Sequence, residues 1–122
     1  MALARVDATG AHAARLLGEA SPFEREMVLG VLRWQLTLDT LLARHLRINV
    51  SALEPRTRAV LRSGGYEALR MTTPAPVAVA EAVRVAKEFS PGAGRLANAV
   101  LRRVVRESWP APDDPEVPLE VR

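Results

Sequence analysis

The chain has 122 residues, 48% of them hydrophobic, which is enough to bury the core of one domain. It has no cysteine, which excludes disulfides, cysteine-ligated metals and a thiol nucleophile. No stretch approaches the roughly 20 apolar residues that a transmembrane helix requires, so we expect a cytoplasmic protein with no membrane partner.

Positive charge is concentrated in the middle of the chain. The formal net charge is only +3, but residues 51–106 carry ten basic residues against four acidic ones. Residues 107–122 carry one arginine against five acids. A basic segment of this kind is typical of proteins that bind a polyanion such as RNA. Solvated helix faces are an equally good interpretation of the charge alone.

Apolar residues recur three and four positions apart along most of the chain, which predicts an all-α protein. No pair of alternating runs is separated by a hairpin dipeptide, so strands are not expected. We therefore predict a compact helical bundle of about six to seven helices. Residues 2–20 form the first helix in this interpretation, interrupted or bent near Gly10.

A second helix is predicted to begin at Ser21 and Pro22. Serine is a favoured N-cap residue, proline is favoured at the first helical position, and Glu24 completes a capping box. The apolar stripe continues to about residue 46, which is long enough that we expect a bend near residues 35–37.

The next predicted helix opens at Glu54 and Pro55. Gly64 and Gly65 lie inside it, and each glycine in a helix costs about 1 kcal/mol relative to alanine. We interpret the pair as the mark of a close helix contact or of a kink.

Proline and glycine divide the remainder of the chain. Residues 72–76 are predicted to be a connector, because their two prolines deny the backbone helical hydrogen bonds. A helix is expected over residues 77–89, a break over 90–94, and a last helix over 95–109. Residues 110–122 are rich in proline and acids and are interpreted as a linker or tail.

Sites for enzymatic chemistry are not evident. His12 and His45 have neither the spacing of a helical zinc pair nor a cysteine to join. Residues 92–97 match the dinucleotide fingerprint G-x-G-x-x-G/A, but a helix precedes them where the fingerprint requires a strand. We interpret them as a helix N-terminus. No catalytic, cofactor-binding or metal-binding residue is predicted, and the chain is not expected to be an enzyme by itself.

One face of the last predicted helix is strongly basic. Its apolar residues share one side of a helical wheel, and four arginines occupy the opposite arc with no acid among them. These are Arg95, Arg102, Arg103 and Arg106. Like charges on one helix face repel each other, so the arc favours an anionic ligand. Phosphate contacts of this kind give an affinity that falls steeply with salt.

Other basic pairs are predicted to extend this surface: Arg84 with Lys87, and Arg58 with Arg62. Only five aromatic residues are present, which is too few for the usual single-strand stacking platform. Trp34 and Tyr66 are interpreted as core anchors, with base stacking as the alternative.

Five ordered stretches resemble the NusB family, and specifically the NusB-like N-terminal domain of Sun/RsmB-type ribosomal RNA cytosine-C5 methyltransferases. They are residues 24–34, 38–42, 60–69, 74–83 and 98–103. No single stretch is decisive, but the ordered set is specific and covers about residues 2–109. The resemblance implies an all-helical RNA-binding domain over residues 1–109, followed by the linker over 110–122.

In those methyltransferases, a catalytic domain that uses S-adenosylmethionine and a cysteine nucleophile follows the helical domain. Neither feature is present in this chain. The resemblance therefore implies an accessory domain that positions small-subunit ribosomal RNA for a methyltransferase domain absent from this chain. By match to the family stretches, Arg33, Arg102 and Arg103 are the leading RNA-facing residues, and Asn98 is expected to be a buried hydrogen-bonding residue.

The alternative is a freestanding NusB-type transcription antitermination factor, or an adaptor, that binds RNA together with a ribosomal protein. The resemblance implies that such factors use a basic N-terminal segment. This chain offers only Arg5 and Arg15 there, with Asp7 between them. That departure favours the methyltransferase interpretation at this point.

Overall fold

The computed structural model describes residues 21–109, and the predicted helix over 2–20 and the predicted linker over 110–122 lie outside them. The described residues contain α-helices and one short 3-10 helix but no strand, which confirms the all-α prediction. Fewer helices lie within this range than the six to seven predicted for the whole chain. They are α1 (Pro22–Arg33), α2 (Gln35–Ala43), the 3-10 helix (Val50–Ala52), α3 (Pro55–Arg70), α4 (Ala75–Phe89) and α5 (Pro91–Val104).

The first two helices follow the predicted outline with a slightly earlier break. Ser21 caps α1, because its hydroxyl oxygen accepts a hydrogen bond from the Glu24 amide at 3.2 Å. Trp34 leaves the helical conformation, with φ −109° and ψ 19°, and separates α1 from α2. The predicted bend at residues 35–37 therefore lies one residue too late, and α2 ends at Ala43 rather than near residue 46.

Helix α3 begins where the sequence predicts. The Glu54 carboxylate accepts a hydrogen bond from the Thr57 amide at 3.1 Å, and Pro55 occupies the first helical position. Both features satisfy or remove donors that the first turn of a helix leaves unpaired. The helix then runs unbroken through Gly64 and Gly65, so the glycine pair does not mark a kink.

Helices α4 and α5 are joined by a single residue, Ser90. The predicted break over 90–94 is confirmed only at Ser90, because the Ser90 hydroxyl accepts from the Ala93 amide at 3.0 Å and starts a new helix at once. Gly92 and Gly94 are therefore helical. Helix α5 ends at Val104, five residues before the predicted end, and α4 begins at Ala75, two residues before its predicted start.

The core has two parts. The larger is built mainly by α3, α4 and α5, with Leu61, Ala97 and Leu101 fully buried at its centre. The smaller lies around Tyr66, which packs against Val28 and neighbouring residues of α1 and α2. Tyr66 is thus a core residue, as predicted.

The two glycines of α3 have different surroundings. A Cβ atom at Gly64 would lie 2.9 Å from the Ala82 Cβ and 2.9 Å from the Leu101 Cδ1, which is closer than real Cβ atoms approach. A Cβ at Gly65 would lie 3.7 Å from its nearest neighbour, Leu38 Cδ2, which is an ordinary contact. Of these two glycines, only Gly64 is therefore required for close helix packing.

The neighbouring substitutions Gly64→Ala and Gly65→Ala should have opposite effects on stability. Gly64→Ala should lower the free energy of unfolding by about 1–3 kcal/mol, because the overpacked core must shift. Gly65→Ala should raise it by up to about 1 kcal/mol, since alanine is the better helix former. Urea unfolding followed by circular dichroism measures both. Equal effects of the two variants would contradict this account of Gly64.

Candidate nucleic-acid interface

An open groove of about 590 Å³ runs along the outer side of the α4 and α5 hairpin. Four basic side chains line it: Arg84 and Lys87 from α4, Arg102 from α5, and Arg106 from the turn that follows α5. All four are exposed. The structure thus brings together, at one site, residues that the sequence analysis assigned to two separate helix faces.

Apart from Asn98, the lining between these cations is apolar. Val79 and Val83 of α4 and Val105 at the end of α5 contribute to it, together with the small side chains of Ala75 and Ala80. Positive edges with an apolar lining suit a polymer whose backbone is anionic and whose attached groups have apolar faces, as in single-stranded RNA.

Asn98 orients one of the groove arginines. The Arg102 Nε donates a hydrogen bond to the Asn98 Oδ1 at 2.8 Å, and both side chains are exposed. Asn98 is therefore not the buried residue that the sequence analysis expected, because its position on α5 faces the groove rather than the core. Fixing the Nε leaves the outer amino groups of Arg102 free to bind a phosphate.

The α4 edge of the groove is partly neutralised. Arg84 donates to the Glu81 and Glu88 carboxylates, with the Glu88 contact at 3.1 Å. The hydrogen bond from Arg84 lowers the pKa of Glu81, and Glu81 in turn raises the pKa of Arg84, so both groups stay charged. A phosphate must compete with these acids for Arg84. Lys87 has no such ion pair among the described residues.

The other two arginines of the predicted arc lie outside the groove. Arg95 and Arg103 are exposed, but neither lines the groove between α4 and α5. A helical wheel of α5 alone places all four arginines on one arc. The neighbouring helix α4 then decides which of them share a common site.

Arg58 and Arg62 hold the fold together instead of facing a ligand. The guanidinium of Arg62 is buried and donates to both carboxylate oxygens of Asp39 at 2.8 Å, which ties α3 to α2. Arg58 donates to the backbone oxygens of Ser51 and Leu53 and fastens the loop before α3. We therefore remove this pair from the candidate RNA-binding residues.

Arg33 lies away from the groove, beside the break between α1 and α2. Its Cζ lies 5.3 Å from the centroid of the Trp34 ring. Arg70 and Trp109 lie at the same corner, and the sequence analysis singled out neither. No periodicity links residues 33, 34, 70 and 109, so only the tertiary structure shows that they meet.

Within residues 21–109, the one histidine lies beside an acidic side chain. The His45 Nε2 lies 3.4 Å from the Glu107 Oε1, which also contacts Arg44 at 3.3 Å. Residues 21–109 hold no cluster of three potential metal ligands, and no helix within them is long and apolar enough to cross a membrane. His12 lies outside the described residues.

Known proteins are similar to this chain in sequence and in fold. The model of the NusB family matches residues 3–106. A protein of Sinorhizobium medicae named transcription antitermination protein NusB is 41% identical over 96 residues, which are 75% of this chain and 59% of that protein. One of the same name from Methylococcus capsulatus is 38% identical over 85 residues, 68% of this chain and 43% of that protein.

The chain thus spans about three fifths or less of the length of these relatives. A solved structure of NusB from T. maritima superposes with a TM-score of 0.77 at 24% identity, covering 89% of this chain and 86% of that one. That similarity concerns the fold alone.

The names of these similar proteins contradict the expectation of a methyltransferase accessory domain. The resemblance to a methyltransferase accessory domain predicted relatives of that kind, but the similar proteins reported above are named as antitermination proteins. The expectation that this chain positions ribosomal RNA for a methyltransferase domain was wrong. The alternative, an antitermination factor, is favoured.

The assignment of Arg62 to the fold gives a prediction about stability. Asp39→Asn should lower the free energy of unfolding by about 1–3 kcal/mol, because it leaves the buried guanidinium without its carboxylate. Glu81→Gln removes a carboxylate from an exposed ion pair and should change the same quantity by less than about 1 kcal/mol. Urea unfolding of both variants measures the difference, and similar losses would contradict a structural role for Arg62.

Proposed function

Since the chain belongs to the NusB family, we propose that it is a transcription antitermination factor that binds RNA in the groove between α4 and α5. The observation that carries the proposal is the convergence of Arg84, Lys87, Arg102 and Arg106 on one apolar-lined groove. The names of the similar proteins support transcription antitermination as the process, and the basic groove supports RNA as the ligand.

The proposed mechanism is retention of RNA by contacts with its phosphates. Arg102 and Arg106 lie on the groove without an acid partner among residues 21–109, so they are the principal contacts. Phosphate contacts give affinity and position without reading base sequence. That the RNA is small-subunit ribosomal RNA stays a prediction.

We also propose that the chain binds a protein partner, such as a ribosomal protein. Leu29 and Leu32, three residues apart on α1, and Leu36 of α2 are each at least 40% exposed. Neighbouring exposed leucines are a typical feature of surfaces that contact another protein. These leucines come from α1 and α2 and the basic groove from α4 and α5, so different elements serve RNA and protein in this proposal.

Two charge-matched double variants test the groove. Arg102→Ala/Arg106→Ala should weaken RNA binding and make its salt dependence shallower by about 1.4 log units of affinity per log unit of salt, if each arginine neutralises one phosphate. Arg95→Ala/Arg103→Ala removes the same charge from α5 at positions outside the groove and should have a smaller effect. Fluorescence anisotropy of labelled single-stranded RNA and ribosomal RNA hairpins over a salt series measures both.

Equal effects of the two double variants would show that net charge, and not the groove, governs binding. No effect of either variant would assign the basic surface to the protein partner. Preference for the ribosomal RNA hairpins over unrelated RNA would support the predicted RNA class.

The pairing of Arg84 with acids gives a second prediction. Glu88→Gln removes a carboxylate that competes with phosphate for Arg84, so RNA affinity should rise by up to about fivefold, corresponding to an exposed ion pair of about 0.2–1 kcal/mol. Glu26→Gln makes the same charge change on the exposed side of α1 and serves as the control. The same anisotropy assay applies. An equal gain in the two variants would contradict competition at Arg84.

A further inference from the structure

Two tryptophans and two arginines meet at one corner of the bundle. Trp34, at the break between α1 and α2, and Trp109, beyond α5, form a perpendicular ring pair with centroids 5.6 Å apart. Arg70, the last residue of α3, places its Cζ 4.9 Å from the Trp109 ring and 5.7 Å from the Trp34 ring. Arg33 approaches Trp34 at 5.3 Å. We call these four residues the aromatic corner.

The aromatic corner holds two positive charges without a matching acid. Neither Arg33 nor Arg70 forms an ion pair with any carboxylate of residues 21–109, in contrast to the pairing of Arg62 and Arg84. The Cζ atoms lie 5.3 Å and 5.7 Å from the Trp34 centroid, so the two charges are at most about 11 Å apart. Cation–π contacts offset part of their repulsion, and a bound anion offsets more.

All four side chains remain accessible. Arg33 and Arg70 are exposed, and both indole rings are only partly buried. Guanidinium groups bind phosphate through paired N–H donors and also stack on bases, and partly exposed indole rings offer further stacking surface. The aromatic corner therefore has the chemistry to bind a nucleotide through both its phosphate and its base.

We propose that the aromatic corner binds one nucleotide of single-stranded RNA, with its phosphate on Arg33 and Arg70 and its base stacked on this cluster. This inference rests on the proposed RNA-binding function and extends it to a second site. Arg106, which lines the groove, is three residues before Trp109, a span of at most about 11 Å. A strand that leaves the groove past Arg106 therefore reaches the aromatic corner within a few nucleotides.

An acidic peptide is the competing ligand, since it also satisfies the two arginines. It offers carboxylates but no flat π surface for the guanidinium planes and indole rings. The presence of both tryptophans at the site favours the nucleotide.

Intrinsic fluorescence reports directly on this site, because Trp34 and Trp109 are the only tryptophans in the chain. Titration with a short unstructured RNA should quench it with the same midpoint that anisotropy of labelled RNA gives. Arg33→Ala/Arg70→Ala should weaken binding about tenfold, equivalent to about 1.4 kcal/mol. Arg47→Ala/Arg95→Ala removes the same charge elsewhere and should weaken it less.

Trp109→Phe keeps an aromatic ring and should retain binding, whereas Trp109→Ala should lose affinity while circular dichroism shows that the helices persist. If anisotropy detects RNA binding but the tryptophan fluorescence is not quenched, the proposal that the aromatic corner binds RNA is overturned and the groove proposal stands. Quenching by an acidic peptide at equal or lower concentration would also overturn it. No anisotropy change with any RNA would overturn the proposed function itself.

Discussion

The close approach of three helices at Gly64 is the constraint on which the rest of the structure depends. Because residue 64 has no side chain, the Ala82 methyl of α4 and the Leu101 side chain of α5 both reach the backbone of α3. The inner faces of α4 and α5 are then fixed against α3, and their outer faces are fixed relative to each other. The basic groove lies between those outer faces, so its geometry is a consequence of packing on the opposite side of the hairpin.

Most of the fold could be predicted from local patterns. The capping residues Ser21 and Glu54 and the apolar spacing of three and four residues identified helix starts and the all-α class correctly. The error over residues 90–94 has a specific cause. Glycines at 92 and 94 suggested a loop, but Ser90 caps the next helix immediately, and Gly94 serves packing because Lys87 of α4 lies where its side chain would be. Close contact between helices is not visible in a single helix pattern.

The candidate site was less predictable for the same reason. A wheel of α5 showed that its arginines share a face, but the position of α4 separates Arg102 and Arg106 from Arg95 and Arg103. Spacing alone made Arg58 and Arg62 resemble a surface pair, although Asp39, distant in sequence, neutralises Arg62 in the interior. Trp34 is partly buried and packs against the smaller core, in agreement with the prediction of a core anchor, but its contact with Trp109 was not predicted, because that contact depends on where α5 ends relative to α1 and α2.

The acids beside Arg84 have a consequence for the lifetime of the proposed complex. When a phosphate departs, Glu81 and Glu88 recapture the guanidinium, so dissociation does not leave an unpaired charge behind. Affinity differences between related complexes arise mainly in the dissociation rate, and a built-in replacement for the ligand increases that rate. Arg84 thus favours exchange of RNA over long retention in the proposed complex, whereas Lys87 and Arg102 have no such acid competitor among the described residues. The proposed groove thereby combines a cation that promotes release of the RNA with cations that promote its retention.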